Sequence, residues 1–161
     1  KNAFFVQCDV EFLPYKNDAF DIIQCSGVIV CTKNTKQSFI KLIPFAKVTG
    51  KLSIWLYHPQ KSIIHNLLLA VRKVFIKLPL KLNVLLCKIL IFPPAFIIKK
   101  LKGNPQNKRE IMIDILDQFT PQYRWEYTSD EATTWFVEQN LTNIKVTTNE
   151  VFGFNIIGYR Q

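Results

Sequence analysis

The sequence predicts an α/β domain: an open, doubly wound sheet that ends in an antiparallel hairpin and carries a helical insert. Three observations predict it. Short continuous apolar runs at Ala3–Cys8 and Phe20–Cys25 have the pattern of strands covered on both faces. Lys36–Lys47, with apolar residues at helical spacing, separates them from a third strand-like run, which is the βαβ order of a parallel sheet. Near the end of the chain a helix is followed by two strand-like runs with a short polar turn between them, so the sheet closes on a reversed pair.

Taken in order, Ala3–Cys8 reads as the first strand and Phe20–Cys25 as the second, the latter ending at Ser26-Gly27. Phe39, Ile40, Leu42, Ile43 and Ala46 set the apolar face of a helix that Pro44 should kink. Gly50 marks its stop, and Lys51–Tyr57 reads as the third strand. Beyond the insert, Arg109–Phe119 is helical. Thr128-Ser129-Asp130-Glu131 has the capping-box form and opens a helix that carries Trp135 and Phe136 on its apolar side and ends near Asn140. Asn143–Thr148 and Phe152–Arg160 form the hairpin around Asn149-Glu150. Residues 1–59 thus carry the core, 60–127 the insert with an aromatic loop, and 128–161 the return to the core.

The 161 residues carry 21 Lys and Arg against 12 Asp and Glu, a net +9, and 48% are apolar, which excludes a disordered tail. The charge is uneven. No acidic residue lies between Asp21 and Glu110, where sixteen of the bases fall. Such asymmetry marks either a surface that faces phosphates or anionic lipid, or a solvated basic face. Residues 60–102 mix these bases with Leu, Ile, Val and Phe and read as two helices, broken near Pro79 and at Pro93-Pro94. No run reaches the roughly 18 uncharged apolar residues of a membrane span. The pattern fits an interfacial helix in peripheral membrane contact. A helical lid that buries its apolar side on the main domain explains the same pattern and is the favoured reading. Nucleic acid is the less favoured anionic partner. Gly103–Asn107 reads as a linker.

Cys8, Cys25, Cys31 and Cys87 show no CxxC pair and no His at zinc-ligand spacing. Cys8 and Cys25 sit inside apolar runs, as small core residues do. No metal or disulfide is expected, and a reducing, cytoplasmic setting fits. The chain begins at Lys1 without a Met and enters an apolar run almost at once, so it reads as the later part of a longer domain.

Asp9 follows the first strand directly and so stands at the carboxyl edge of the sheet, where open α/β sheets bind ligands. Its carboxylate can accept from an exocyclic amine or a ribose hydroxyl, and the Val10 amide can donate to a ring nitrogen. A loop Asp that caps a turn is the plainer alternative. Ser26-Gly27-Val28 leaves the second strand at the same edge, with Gly27 allowing close backbone approach. His58, just past the third strand, is a candidate general base or a structural hydrogen-bonder.

These residues resemble class I S-adenosylmethionine-dependent methyltransferases of the small-molecule, type-11-like branch. The resemblance runs through Phe5–Tyr15, with its acidic residue and Leu13-Pro14-Tyr15 segment, then Asn17-Asp18-Ala19-Phe20-Asp21-Ile22-Ile23. Ser26–Thr32 is similar to the family's loop after the fourth strand, and Phe45–Leu52 to its turn before the fifth. The closing hairpin matches the reversed sixth and seventh strands. On this reading the chain is the C-terminal part of a Rossmann-like methyltransferase sheet, strands three to seven, without the Gly-rich turn after the first strand. The resemblance implies S-adenosyl-L-methionine as cofactor. Asp9 would hold the adenine amino group and the Val10 amide the ring, while Ser26, Gly27 and Val28 would line the methionine portion. Asp21 would be structural. The family's paired His in the loop after the fourth strand is replaced by Val30 and Cys31, Pro44 stands where a base is usual, and one Gly remains before the fifth strand.

Asp117–Tyr127 resembles the aromatic, Pro-containing loop that follows a helical insert in some members. Its Tyr123-Arg124-Trp125-Glu126-Tyr127 cluster, with Tyr57, would either close over an acceptor, Arg124 meeting an anionic group, or plug the space between insert and sheet. The expected function is methyl transfer to a small, hydrophobic or lipid-like acceptor, with the isolated chain inactive. A non-catalytic basic module that binds nucleic acid or an anionic membrane is the alternative.

Overall fold

A computed structural model describes residues 3–150 and 152–161. Its elements run β1 (Phe20–Ser26), α1 (Thr35–Leu42), β2 (Ala46–Tyr57), α2 (Ile63–Phe75), α3 (Leu80–Leu86), α4 (Phe92–Leu101), α5 (Lys108–Phe119), α6 (Ser129–Glu138), β3 (Thr142–Asn149) and β4 (Gly153–Tyr159). They fall into two compact units. One comprises the residues up to Gln60 together with Tyr123–Gln161, and the other is Lys61–Gln122. The aromatic loop from Tyr123 onward therefore belongs with the sheet.

In the sheet unit the strand order is β1-β2-β4-β3, with β1 and β2 parallel and both pairings of β4 antiparallel. The last strand inserts between β2 and its own hairpin partner. Val151, which falls in the predicted hairpin, and Lys1 and Asn2 lie outside the described residues. α1 begins where Asn34 caps it, its side chain accepting from the Gln37 amide at 3.1 Å. Pro44 ends this helix where a kink was expected. The chain makes one tight turn at Ile43–Phe45 and enters β2 at Ala46. β2 thus starts five residues before the predicted Lys51, because Phe20 pairs with Ala46 and Ile22 with Lys51, with a bulge between them. Gly50 lies in that bulge, where a Cβ would stand 2.7 Å from the Lys47 carbonyl oxygen.

β2 alternates in the way a half-covered strand does: Leu52, Ile54 and Leu56 are buried, and Ser53, Trp55 and Tyr57 only partly so. Phe39 of α1 and Phe136 of α6 cover the buried face, their rings stacked 4.7 Å apart. Phe136 also lies against Gly158, where a Cβ would come within 2.6 Å of the ring. α6 opens with the predicted capping box: Thr128 Oγ1 accepts from the Glu131 amide at 3.2 Å, and Glu131 Oε2 accepts from the Thr128 amide at 2.8 Å.

The predicted first strand is not formed. Ala3–Asp9 joins no ladder, and Phe4 and Phe5 are 92% and 97% exposed. A strand is made by its neighbour, and no described strand pairs with this run. Cys8 is accordingly exposed and is not the core residue its apolar run suggested, whereas Cys25 is buried, which pushes its thiol pKa up.

The second unit packs Phe75, Cys87, Ile111, Ile115 and Phe119 into its own core. α5 begins with a second capping box, Asn107 with Glu110, so the end of the predicted linker is a helix cap. The predicted break at Pro79 holds. The one at Pro93-Pro94 does not, because a π turn at Cys87–Ile91 leads into α4 and the prolines sit in the first turn of that helix, where a missing N–H is tolerated. Leu80–Leu101 is thereby one continuous helix of 22 residues, long and apolar enough by length and composition to cross a membrane. Buried Asn83 holds the unit together, its amide donating to the Phe75 and Phe119 carbonyls, both at 3.0 Å, while its Oδ1 accepts from the Cys87 thiol at 3.3 Å. Buried Arg72 donates from Nε to the Gln118 carbonyl at 3.0 Å and from Nη2 to that of Pro121.

Lys99 Nζ and Gln106 Nε2 both reach Asp114 Oδ2, at 2.6 and 2.9 Å. Burial alone would raise the pKa of Asp114, but these two hydrogen bonds and the lysine charge together hold it below its ordinary 3.8. A carboxylate lowered in the folded state stabilises above its unfolded value and loses that contribution as pH falls through the folded one. Asp114→Asn should therefore flatten the loss of stability between about pH 5 and pH 2 relative to wild type, read by urea unfolding. Equal acid sensitivity of the two proteins would count against the pairing.

Candidate functional site

Because β1 and β2 run parallel, Ser26-Gly27 and Tyr57-His58 leave the sheet at one edge. Gly27 turns the chain there with φ of 70°, a conformation costly for any side chain. Its amide donates to the Trp55 carbonyl at 3.2 Å. Val28, half exposed, follows, and Ile29–Cys31 closes a short turn whose first two residues are fully buried.

The aromatic loop returns along the same edge and is sewn to both strand exits. The Trp125 amide donates to the Val30 carbonyl at 3.1 Å, and its indole Nε1 to that of Thr32 at 3.0 Å. The Tyr127 amide donates to the Tyr57 carbonyl at 2.9 Å. Tyr123 stacks on Trp125, with rings 6.3 Å apart and 12° from parallel. The Arg124 guanidinium lies 3.9 Å above the Tyr57 ring and pairs with Glu126 Oε1 at 2.5 Å. The arginine side chain is only 7% exposed, and its Nε has no hydrogen-bond partner. His58 has the same feature: its Nδ1 is buried without a partner, while its amide donates to the Phe152 carbonyl and its ring meets Phe154 edge-on. Buried polar atoms are usually hydrogen-bonded, so these two set this strand exit apart.

Asp9 reaches this region indirectly. Its Oδ1 accepts from the Glu11 amide at 2.9 Å and its carbonyl from Phe12 N at 3.0 Å, so Asp9 does cap a turn. Glu11 is tied in turn to Ser38 Oγ at 3.2 Å, and Ser38 Oγ to Thr32 Oγ1 at 2.8 Å, beside the carbonyl that Trp125 uses. Val10 packs on the core. Asp21 is paired with Lys47 at 2.8 Å, and that hydrogen bond keeps its pKa low. Sequence reasoning missed Glu126 as the partner of Arg124, and Thr32 and Ser38 as the link between loops. Glu126, two residues from Arg124, carried a readable signal, whereas the other two carried none.

Neither a protein-family model nor a curated protein matches the chain. Solved structures do. The chain is similar to a SAM-dependent methyltransferase, a possible histamine N-methyltransferase, from Thermotoga maritima, with a TM-score of 0.54 and 11% identity over 98% of this chain and 64% of that one. It is also similar to a possible exported protein from Bordetella parapertussis, with a TM-score of 0.52 and 10% identity over 95% of this chain and 42% of that one. The chain thus spans less than two thirds of either relative. Its fold is the α/β, Rossmann-like fold of SAM-dependent methyltransferases, with the reversed closing pair the sequence predicted.

Proposed function

We propose that the protein carrying this chain is an S-adenosylmethionine-dependent methyltransferase acting on a small, hydrophobic or lipid-like acceptor. The observation that carries this reading is the convergence of the two parallel-strand exits with the aromatic loop at one sheet edge, around the bare backbone of Gly27. In such a fold that edge is the cofactor's side. Asp9 and the Val10 amide would hold the adenine, and Ser26, Gly27 and Val28 would line the methionine portion. Gly27 fits that role, since no side chain stands between its backbone and a ligand. When bound, the cofactor supplies an electrophilic methyl on a sulfonium that leaves as a neutral thioether.

The protein's own part is then largely alignment, which shortens the reach of the acceptor's lone pair. Tyr57, Tyr123 and Tyr127 would offer the acceptor aromatic faces. Arg124, balanced by Glu126 and lying over the Tyr57 ring, would stiffen this wall. His58, just past the same strand exit, would be the candidate general base for the proton that the acceptor sheds.

Asp9→Ala in the protein carrying this chain should weaken S-adenosylmethionine binding about tenfold or more, the loss of a charge-assisted hydrogen bond, as read by calorimetry. Unchanged affinity would remove Asp9 from the site, and no binding by the wild type would remove the reading altogether.

A further inference from the structure

We propose that the continuous helix Leu80–Leu101 lies in the headgroup plane of an anionic bilayer, with its outward apolar stripe among the acyl chains and its lysines on lipid phosphates. The inference goes beyond methyl transfer and stands without it. This helix is packed on one side and leaves much of its apolar surface exposed on the others. Asn83 and Cys87 are buried, whereas Leu82, Leu85, Ile89, Ile97 and Leu101 are between 41% and 83% exposed. Leu85, Ile89, Ile97 and Leu101, at four- and eight-residue steps, run along one side of the helix, and Leu80, Leu90 and Ile98 widen the exposed apolar surface beyond that line. α2 repeats the arrangement, with Ile63 89% and Leu67 63% exposed four residues apart.

Charge complementarity names the partner. Lys81, Lys88, Lys100 and Lys102 are exposed along the helix and just beyond its end, and no acidic residue occurs anywhere from Ile22 to Arg109. Cations beside an exposed aliphatic stripe suit an anionic lipid surface. Nucleic acid would use the lysines but leave Ile89 and Ile97 without a base to stack on, since that task falls to aromatic rings.

The helix lies on the membrane and does not cross it. Its inner face is tied to polar partners: Asn83 holds the carbonyl ends of α2 and α5, and Lys99 holds Asp114 of α5. Spanning would draw these groups into hydrocarbon, where each carries a large penalty. Lying in the interface buries the stripe and leaves Asn83 within its own packed unit and the Lys99–Asp114 pair on the side away from the hydrocarbon.

The test is co-sedimentation of the chain with phosphatidylcholine vesicles and with vesicles that also contain phosphatidylserine. Binding should be confined largely to the anionic vesicles and fall steeply with added salt. The double variant Ile89→Glu/Ile97→Glu, at two exposed positions, should keep the circular dichroism spectrum and thermal unfolding of the wild type while binding vesicles at least about tenfold more weakly. S-adenosylmethionine affinity of this variant should not change, which separates this inference from the methyl-transfer reading. The proposal is overturned if the wild type ignores anionic vesicles, or if the variant binds them as well as the wild type. It is also overturned if the stripe instead supports a dimer that the variant abolishes without any vesicle binding, or if oligonucleotides bind in its place.

Discussion

Phe136→Ala is expected to destabilise the protein by about 3–5 kcal/mol, the largest effect of any single substitution considered for the sheet unit. The side chain is fully buried, its ring stacks on Phe39, and it rests on the bare Cα of Gly158. Cost in such a site depends on how well the surroundings can close the hole, and here they close poorly. Gly158 has no side chain to fill it, and the capping box fixes the start of α6. Tyr127, whose amide bonds the Tyr57 carbonyl, packs edge-on against Trp135 of the same helix at 4.7 Å, so loosening α6 also loosens the candidate site. Guanidinium denaturation followed by circular dichroism measures the loss. A change below about 1 kcal/mol would mean that α6 collapses onto the sheet and that the packing described is not rigid.

Asn83→Ala is expected to cost about 2–3 kcal/mol, although it removes only a small polar side chain. Its amide serves the last carbonyls of two helices at once, at Phe75 and Phe119, and its oxygen receives the Cys87 thiol. The Leu78 amide also reaches the Phe75 carbonyl, so the heavier loss falls on Phe119. A buried carbonyl without a donor carries its full desolvation penalty, which exceeds the worth of the bond itself. Asn83→Asp separates geometry from hydrogen bonding, since it keeps the shape and loses the amide donors. If Asn83→Asp were as stable as wild type, the double cap would not be what holds these helices.

What was legible in the sequence was local. The Thr128–Glu131 box, the apolar run Phe20–Cys25 and the hairpin depend on residues a few positions apart, and each reappears in place. Ala3–Cys8 has the same composition as a strand and forms none, because a ladder is a property of two segments and only one of them can be read from the run itself. Asn83 is a polar residue in an apolar stretch, with no local pattern to mark it. Its meaning lies in carbonyls eight and thirty-six positions away. At the candidate site the strand exits placed Ser26, Gly27, Tyr57 and His58 on one edge, as the βαβ order required. The bond from Trp125 to Thr32 spans ninety-three positions, and no spacing rule announces it.

The π turn at Cys87–Ile91 sets the phase of the helix it interrupts. In an unbroken α-helix, residues four apart advance about 40° with each step, so an outward line begun at Leu85 would have wound well round the rod before it reached Leu101. A wider turn holds more residues per revolution and gives back part of that advance. Ile97 and Leu101 in the second half are thereby brought back toward the line of Leu85 and Ile89 in the first. Two adjacent prolines, read in the sequence as a break, sit just beyond this correction. Deleting one residue there would leave both halves helical and turn one against the other by about 100°.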